Sequence, residues 1–197
     1  MKHLLRNSLL GITLALFALP FVVSACSDDE ELDREKEAIR KLAASFNGGV
    51  DSFGDVYRVL LNYDREGYAH DPVAEKGDEV HFYFHLRAPY TQYSSEGNTI
   101  YSNVPALIDI LEGASNGIAP GSWPRGPMII TYGEGRFGLG LDVGLATGGQ
   151  VRLRQRDSIL VLVPYDKVGD DHSFGIMPKE TSVAWLIGID TIVKTQR

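Results

Sequence analysis

Cysteine, basic charge and long apolar runs are all scarce in this sequence of 197 residues. The single cysteine, Cys26, permits no disulfide within the chain, so the fold must be stabilised by a packed core. Lys and Arg number 19 against 26 Asp and Glu, which argues against nucleic acid as a partner because phosphate binding requires a concentrated basic surface. The uncharged run from Asn7 to Val23 is too short for a comfortable membrane span, which needs about 20 apolar residues.

The start of the chain has the order of segments found in an export signal. A basic beginning with Lys2 and Arg6 leads into the apolar run, and small residues stand directly before Cys26. This end resembles a bacterial lipobox, which implies removal of residues 1–25 as a lipoprotein signal peptide. Lipid, including palmitate, would then anchor Cys26 in the cell envelope, at the outer membrane. Ordinary secretory cleavage with a spare thiol is the alternative, but a leftover cysteine is unusual in an exported chain.

An acidic segment follows Cys26. Removal of residues 1–25 takes away Lys2 and Arg6 and no acidic residue, so 17 basic and 26 acidic residues remain and the formal charge is −9. Ser27–Glu31 is interpreted as a solvated tether, and it also resembles the surface-export signals of Bacteroidetes lipoproteins. The periplasmic and the external face of the outer membrane both stay open as locations.

A helical period begins at Leu32 and continues to Phe46, where Asn47–Gly49 ends it. Residues 26–49 are thus assigned as a lipidated cysteine, an acidic tether and an amphipathic helix. The apolar positions lie close to one face and are Leu32, Ile39, Leu42, Ala43 and Phe46. So narrow an apolar stripe has to dock on another surface, either that of its own domain or that of a second copy in a homodimer.

The period changes from 3.6 to 2 beyond this helix, which predicts β-strands. Between His81 and Leu86 the residues Phe82, Phe84 and Leu86 share one face. Strands are predicted over Asp55–Asn62, His81–Leu86, Ile159–Val163 and Ser182–Val193, and helices over Pro105–Leu111 and from near Gly138. This layout predicts the α+β class, with a mostly antiparallel sheet packed against one or two helices.

Five short motifs, in order, resemble those of FKBP-type peptidyl-prolyl isomerases. They are Gly54–Leu60, Lys76–Phe84, Gly140–Leu145, Val161–Gly169 and Gly175–Pro178, the last standing seven residues before Trp185. The resemblance covers residues 54–195 and includes an insertion at 104–126. It implies a twisted antiparallel sheet curled around a central helix, with an apolar pocket between them and the amphipathic helix as an N-terminal addition.

Such a pocket works without a nucleophile, metal or cofactor, and none is expected. Rotation about an X–Pro bond removes amide resonance, so the twisted amide is less polar than the planar one and a dry aromatic cleft favours it. Carried over position by position, the resemblance implies a peptide-binding pocket of Phe84, Tyr101, Met128, Leu141, Val168, Ile176, Met177 and Trp185. Plain core packing explains each of these positions equally well.

Departures from the family pattern leave enzymatic activity open. Ser102 stands where the family has a pocket aspartate, and Val168 where it has a tyrosine that bonds the ligand carbonyl. The insertion at 104–126 would lie beside the pocket mouth. The sequence therefore predicts an envelope protein that binds extended or proline-containing segments of exported polypeptides, with weak isomerase or chaperone activity at most.

Two other functions fit the same residues. One is a non-catalytic structural or assembly lipoprotein that docks an envelope protein through its surface and its insertion. The other is a ligand-capture lipoprotein, with Trp123, Tyr132 and Tyr165 as exposed stacking platforms. A metal site is not expected at His81 and His85, because on a strand residues at this spacing lie about 13 Å apart.

Overall fold

The computed structural model describes residues 29–88, 98–113, 124–135, 139–168 and 182–196. Its helices are α1 (29–45), α2 (Pro105–Gly113), α3 (Leu139–Gly144) and α4 (Tyr165–Val168), with a 3-10 turn at Tyr68–His70. Its strands are β1 (Val50–Phe53), β2 (Val56–Leu60), β3 (Glu79–Ala88), β4 (Asn98–Ser102), β5 (Met128–Thr131), β6 (Ser158–Val163) and β7 (Val183–Val193). Cys26, Trp123, Ile176 and Met177 lie outside the described residues. Among the helices described, none is long and apolar enough to cross a bilayer.

The seven strands form one antiparallel sheet in the order β1-β2-β6-β7-β3-β4, with β5 beside β3. β7 pairs along one side of β3, whereas β5 and β4 pair with successive halves of the other side. β5 lies opposite Glu79–Phe82, and β4 lies opposite His85–Ala88. The predicted α+β class, with an antiparallel sheet, a central helix and a preceding N-terminal helix, is confirmed.

Strand alternation places one face of the sheet in the main core. Phe82, Phe84 and Leu86 of β3 are each at most 1% exposed. Trp185 of β7 is opposite Leu86 in the ladder and is also fully buried. The face that Phe82, Phe84 and Leu86 were predicted to share is therefore the inward face, and Trp185 of β7 lies on it as well.

Helix α3 lies close against this face because two of its residues are glycine. A Cβ atom at Gly140 would fall 1.9 Å from Nε1 of Trp185, and one at Gly144 would fall 2.3 Å from Cδ1 of Ile187. Real side chains do not make contacts this short. The close approach of α3 to the sheet therefore requires glycine at both positions.

A buried ion pair fixes the loop that follows α3. The Arg58 guanidinium is fully buried and donates to the Asp51 carboxylate at 2.6 Å. It also donates to the carbonyl oxygens of Ala146 at 2.7 Å and Gly148 at 2.6 Å. Burial acts to raise the pKa of Asp51, but Arg58 and two backbone N–H groups of the loop outweigh it and hold this pKa below its ordinary value. β1 and β2 therefore hold the loop at 146–151.

The second half of α1 packs on the outer face of the sheet. The chain divides into two units, Met1–Glu37 and Ala38–Arg197, so the helix from Ala38 onward belongs with the sheet. Ile39 and Ala43 are buried there. The strand residues that cover them are Val59, Leu160, Leu162 and Ala184. For this half of the helix, the docking surface is its own domain.

Candidate functional site

The structure brings the predicted pocket residues that it describes into one apolar cluster. They are Phe84, Leu141, Val168 and Trp185 in the main core, and Tyr101 and Met128 packed against its margin. The ring of Phe84 is central, with its centroid 5.5 Å from that of Tyr101 and 5.5 Å from that of Trp185. Motifs far apart in the sequence therefore meet at one place in the fold.

The deep part of this cluster is filled by the chain itself. The four core members are each at most 2% exposed. The indole of Trp185 lies directly against the backbone of Gly140, so it occupies the space between the sheet and the start of α3. Tyr101 and Met128 keep exposed surface, and of the six described residues these two are the ones that a ligand can reach.

The polar side chains beside the cluster form hydrogen bonds with backbone groups. The Ser102 hydroxyl donates to the carbonyl of Phe84 at 2.9 Å and accepts from the N–H of Val104 at 3.0 Å. The Asn103 side chain accepts from the N–H of Phe84 at 2.6 Å and donates to the carbonyl of Phe82 at 3.1 Å. Asn103 therefore bridges the gap between β4 and β5 along β3. The Ser102 hydroxyl has a single hydrogen to donate, and it is already used in the bond to Phe84.

Helix α2 packs beside the margin of the cluster. Its residues Ile108 and Leu111 are buried and form a small apolar group with Tyr101. Burial also raises the pKa of the Tyr101 phenol, so this side chain is neutral throughout the physiological range. The margin thus presents an uncharged aromatic surface.

The insertion that carries α2 is closed at its base. The N–H of Gly126 donates to the carbonyl of Asn103 at 3.1 Å, where the chain rejoins the sheet. Arg125 pairs with Asp109 at 2.6 Å and with Glu112 at 2.7 Å. These contacts tie the returning end of the insertion to α2.

Tyr132 is not an exposed stacking platform, and that expectation was wrong. The residue is 4% exposed, and its hydroxyl donates to the carbonyl of Ala146 at 3.0 Å. The reason is the alternation of β5, which turns Ile130 and then Tyr132 toward the core. Tyr165 is half-buried at the start of α4.

The outer face of the sheet carries two histidines and an open cavity. His81 contacts Glu79 at 2.6 Å, and burial lowers the pKa of His85. In the described part of the chain no three metal-ligating side chains come together. The cavity, of about 230 Å³, is lined by His85, Tyr83 and Leu186 among others, and none of the predicted pocket residues lines it.

No protein-family profile and no curated protein matches the sequence. Solved structures of similar fold include a peptidyl-prolyl cis-trans isomerase from Pseudomonas syringae pv. tomato, at 9% identity over 84% of this chain and 96% of that chain, with a TM-score of 0.46. FkpA from Escherichia coli is similar at 11% identity over 93% of this chain and 71% of that chain, with a TM-score of 0.49. The N-terminal domain of FKBP42 from Arabidopsis thaliana is similar at 12% identity over 76% of this chain and 96% of that chain, with a TM-score of 0.45. These are similarities of fold only, at no more than 12% identity.

Proposed function

We propose that this protein is a lipid-anchored component of the cell envelope whose FKBP-like domain binds extended or proline-containing polypeptides. The observation that carries the proposal is the division of the apolar cluster into a filled core and an accessible margin. The core members are packed against α3, whereas Tyr101 and Met128 stay half-exposed beside them. A margin of this kind favours contact with a polypeptide over enclosure of a proline ring.

Isomerase turnover should be weak or absent. Catalysis by desolvation needs a dry cavity around the prolyl ring, so that the twisted amide is favoured and a barrier of about 18–20 kcal/mol is lowered. The rings of Trp185 and Phe84 occupy that depth, and the Ser102 hydroxyl donates to the backbone. The site keeps contact surface without the features that would lower the barrier.

Location in the envelope is the part of the proposal that the sequence supports. Small residues directly before the only cysteine favour a lipid on Cys26 as the contact with the membrane, at the outer membrane. The partners are then exported polypeptides or another envelope protein. A homodimer through the part of α1 that precedes Ala38 fits the same arrangement.

The test measures binding and turnover side by side on the full-length protein in detergent. Titration with a labelled unfolded peptide should show saturable binding, while refolding limited by a cis-proline step should be accelerated little. Tyr101→Ala and Met128→Ala should each weaken binding several-fold. The matched control is Tyr63→Ala, which truncates an exposed tyrosine in the loop after β2 and should have no effect. Turnover comparable with that of an active isomerase would contradict the filled-site interpretation.

A non-catalytic assembly subunit is the second candidate, and the filled core of the cluster favours it too. In that case a well-folded protein shows neither turnover nor peptide binding, and its function depends on a docked envelope protein. The ligand-capture alternative loses one of its three platforms, because Tyr132 is buried.

A further inference from the structure

The outer edge of β5 carries backbone groups that no described strand pairs. β5 pairs with β3 on one side, and within the described ranges no strand lies on its other side. In an antiparallel ladder successive residues direct their N–H and C=O groups alternately toward and away from the partner strand. The N–H of Tyr132 donates to the carbonyl of Asp78 at 2.8 Å, so Tyr132 and every second residue before it bond toward β3. Ile129 and Thr131 consequently direct their backbone groups outward.

Within the described ranges, three of these outward groups have no hydrogen-bond partner. They are the N–H and the C=O of Ile129 and the N–H of Thr131. The carbonyl of Thr131 already accepts a hydrogen bond from the N–H of Glu134 at 3.2 Å. An added strand satisfies donors and acceptors arranged in this way, and such pairing is a recurrent mode of peptide recognition.

Side chains on both faces of β5 suit the same ligand. Ile129 is 57% exposed on the outer face of the sheet. Met128 is half-buried on the inner face and belongs to the margin of the apolar cluster. A chain laid along β5 would direct alternate side chains toward these two residues. The edge of β5 and the accessible margin therefore form one continuous surface.

We infer that an extended polypeptide segment binds this protein by adding a strand to the outer edge of β5. The inference rests on the proposed function and supplies its binding mode. Hydrogen bonds to Ile129 and Thr131 hold the ligand backbone, and contact with the margin selects apolar side chains at every second position. The ligand is thus an extended, unpaired chain that has free N–H groups opposite β5.

A second copy of this chain fits the edge less well than a longer polypeptide does. β5 has four residues and is bounded by Pro127, which has no N–H, and by a turn at Gly133 with φ of 91°. Two copies joined through so short a strand would share few hydrogen bonds and bury far less than the 1,200–2,000 Å² or so of a stable interface. An extended segment meets the same groups and continues onto the margin.

Proline substitution tests the edge directly, because proline removes an outward N–H and leaves the bonds to β3 in place. In the full-length protein, Ile129→Pro should weaken binding of a labelled peptide with alternating Leu and Ser by about tenfold. The matched control is Ser52→Pro on β1, the opposite edge of the sheet, where the ladder with β2 also leaves the substituted N–H directed outward. Binding to this control should be unchanged.

A second measurement uses the unaltered protein, so it does not depend on the folding of a variant. Two versions of the peptide are N-methylated, one at the Leu positions and the other at the Ser positions. Only one of these two sets of N–H groups faces β5 in an added strand. One version should bind as the unmodified peptide does, and the other should lose binding.

The outcomes separate the binding mode from the proposed function. Weaker binding to Ile129→Pro alone, with loss for one N-methylated version, supports strand addition. Equal binding to Ile129→Pro and the unaltered protein overturns strand addition and leaves polypeptide binding in place. If the unaltered protein binds no peptide, the proposed function and this inference both fall. If Ile129→Pro converts a dimer into a monomer in sedimentation, the edge serves self-association and the inference is overturned.

Discussion

Trp185 and Gly140 should be strongly coupled in a double-mutant cycle, because the indole of one lies against the backbone of the other. Trp185→Ala removes a fully buried side chain from the main core and should lower the free energy of unfolding by about 3–5 kcal/mol. Gly140→Ala adds a carbon that would fall 1.9 Å from Nε1 of Trp185. Helix α3 must shift to accommodate it, which should cost about 1–3 kcal/mol.

In the double variant the added methyl group meets the space that the indole has left. The overpacking disappears, and alanine is favoured over glycine in a helix by about 0.5–1 kcal/mol. The double variant should therefore be as stable as Trp185→Ala or slightly more stable. The coupling energy that follows from these values is about 1.5–4 kcal/mol.

Urea unfolding followed by circular dichroism measures all four proteins. Additive losses, within about 0.5 kcal/mol, would mean that the indole does not contact α3. The argument that the deep site is filled would then fail as well. Gly148→Ala is the matched control, because a Cβ there meets no atom within 4 Å, and it should show no coupling to Trp185→Ala.

Three further outcomes are expected. Arg58→Leu leaves the Asp51 carboxylate buried without its cation and should cost about 3–5 kcal/mol in urea unfolding; a loss below about 1 kcal/mol would mean that the ion pair does not hold the loop after α3. Burial acts to raise the pKa of Asp78, but Lys194 and two backbone N–H groups lower it to about 2, below the ordinary 3.8. This carboxylate therefore stabilises the fold above its unfolded pKa and loses that effect as the pH falls toward 2. Asp78→Asn should lower the free energy of unfolding more at pH 6 than at pH 2. An equal loss at the two pH values would mean that the ionised Asp78 carboxylate does not stabilise the fold. Cys26→Ser should leave the membrane fraction or accumulate as unprocessed precursor; normal processing with membrane attachment would remove the basis for the lipid anchor.

The inward faces of the long strands could be predicted because a period of two assigns every side chain to a face. Phe84 and Trp185 are buried as the alternation of their segments requires. Helix α2 could also be predicted, since Pro105 suits the first position of a helix. In these cases the signal lies within a single segment of the chain.

The contacts that shape the candidate site could not be predicted because they join residues far apart in the sequence. Arg58 reaches the carbonyl of Ala146, 88 positions away, and nothing near either residue indicates the other. Asn103 was missed altogether. Its position just before Pro105 indicates the end of a strand or the cap of a helix, whereas its hydrogen bonds to Phe82 and Phe84 depend on β4 and β5 meeting end to end along β3.

The base of the insertion holds together the two ends of the segment between Asn103 and Gly126, whatever the length of chain between them. The N–H of Gly126 and the carbonyl of Asn103 join the two ends in one backbone hydrogen bond. The side chain of Asn103 accepts from the N–H of Phe84 and donates to the carbonyl of Phe82 on β3. The entropy of closing a flexible loop changes slowly with its length, by about 0.6 kcal/mol for each doubling. Residues added to this segment outside α2, whose Ile108 and Leu111 pack on Tyr101, should therefore leave the seven strands in register, and the segment offers an entry point for fusing a reporter domain.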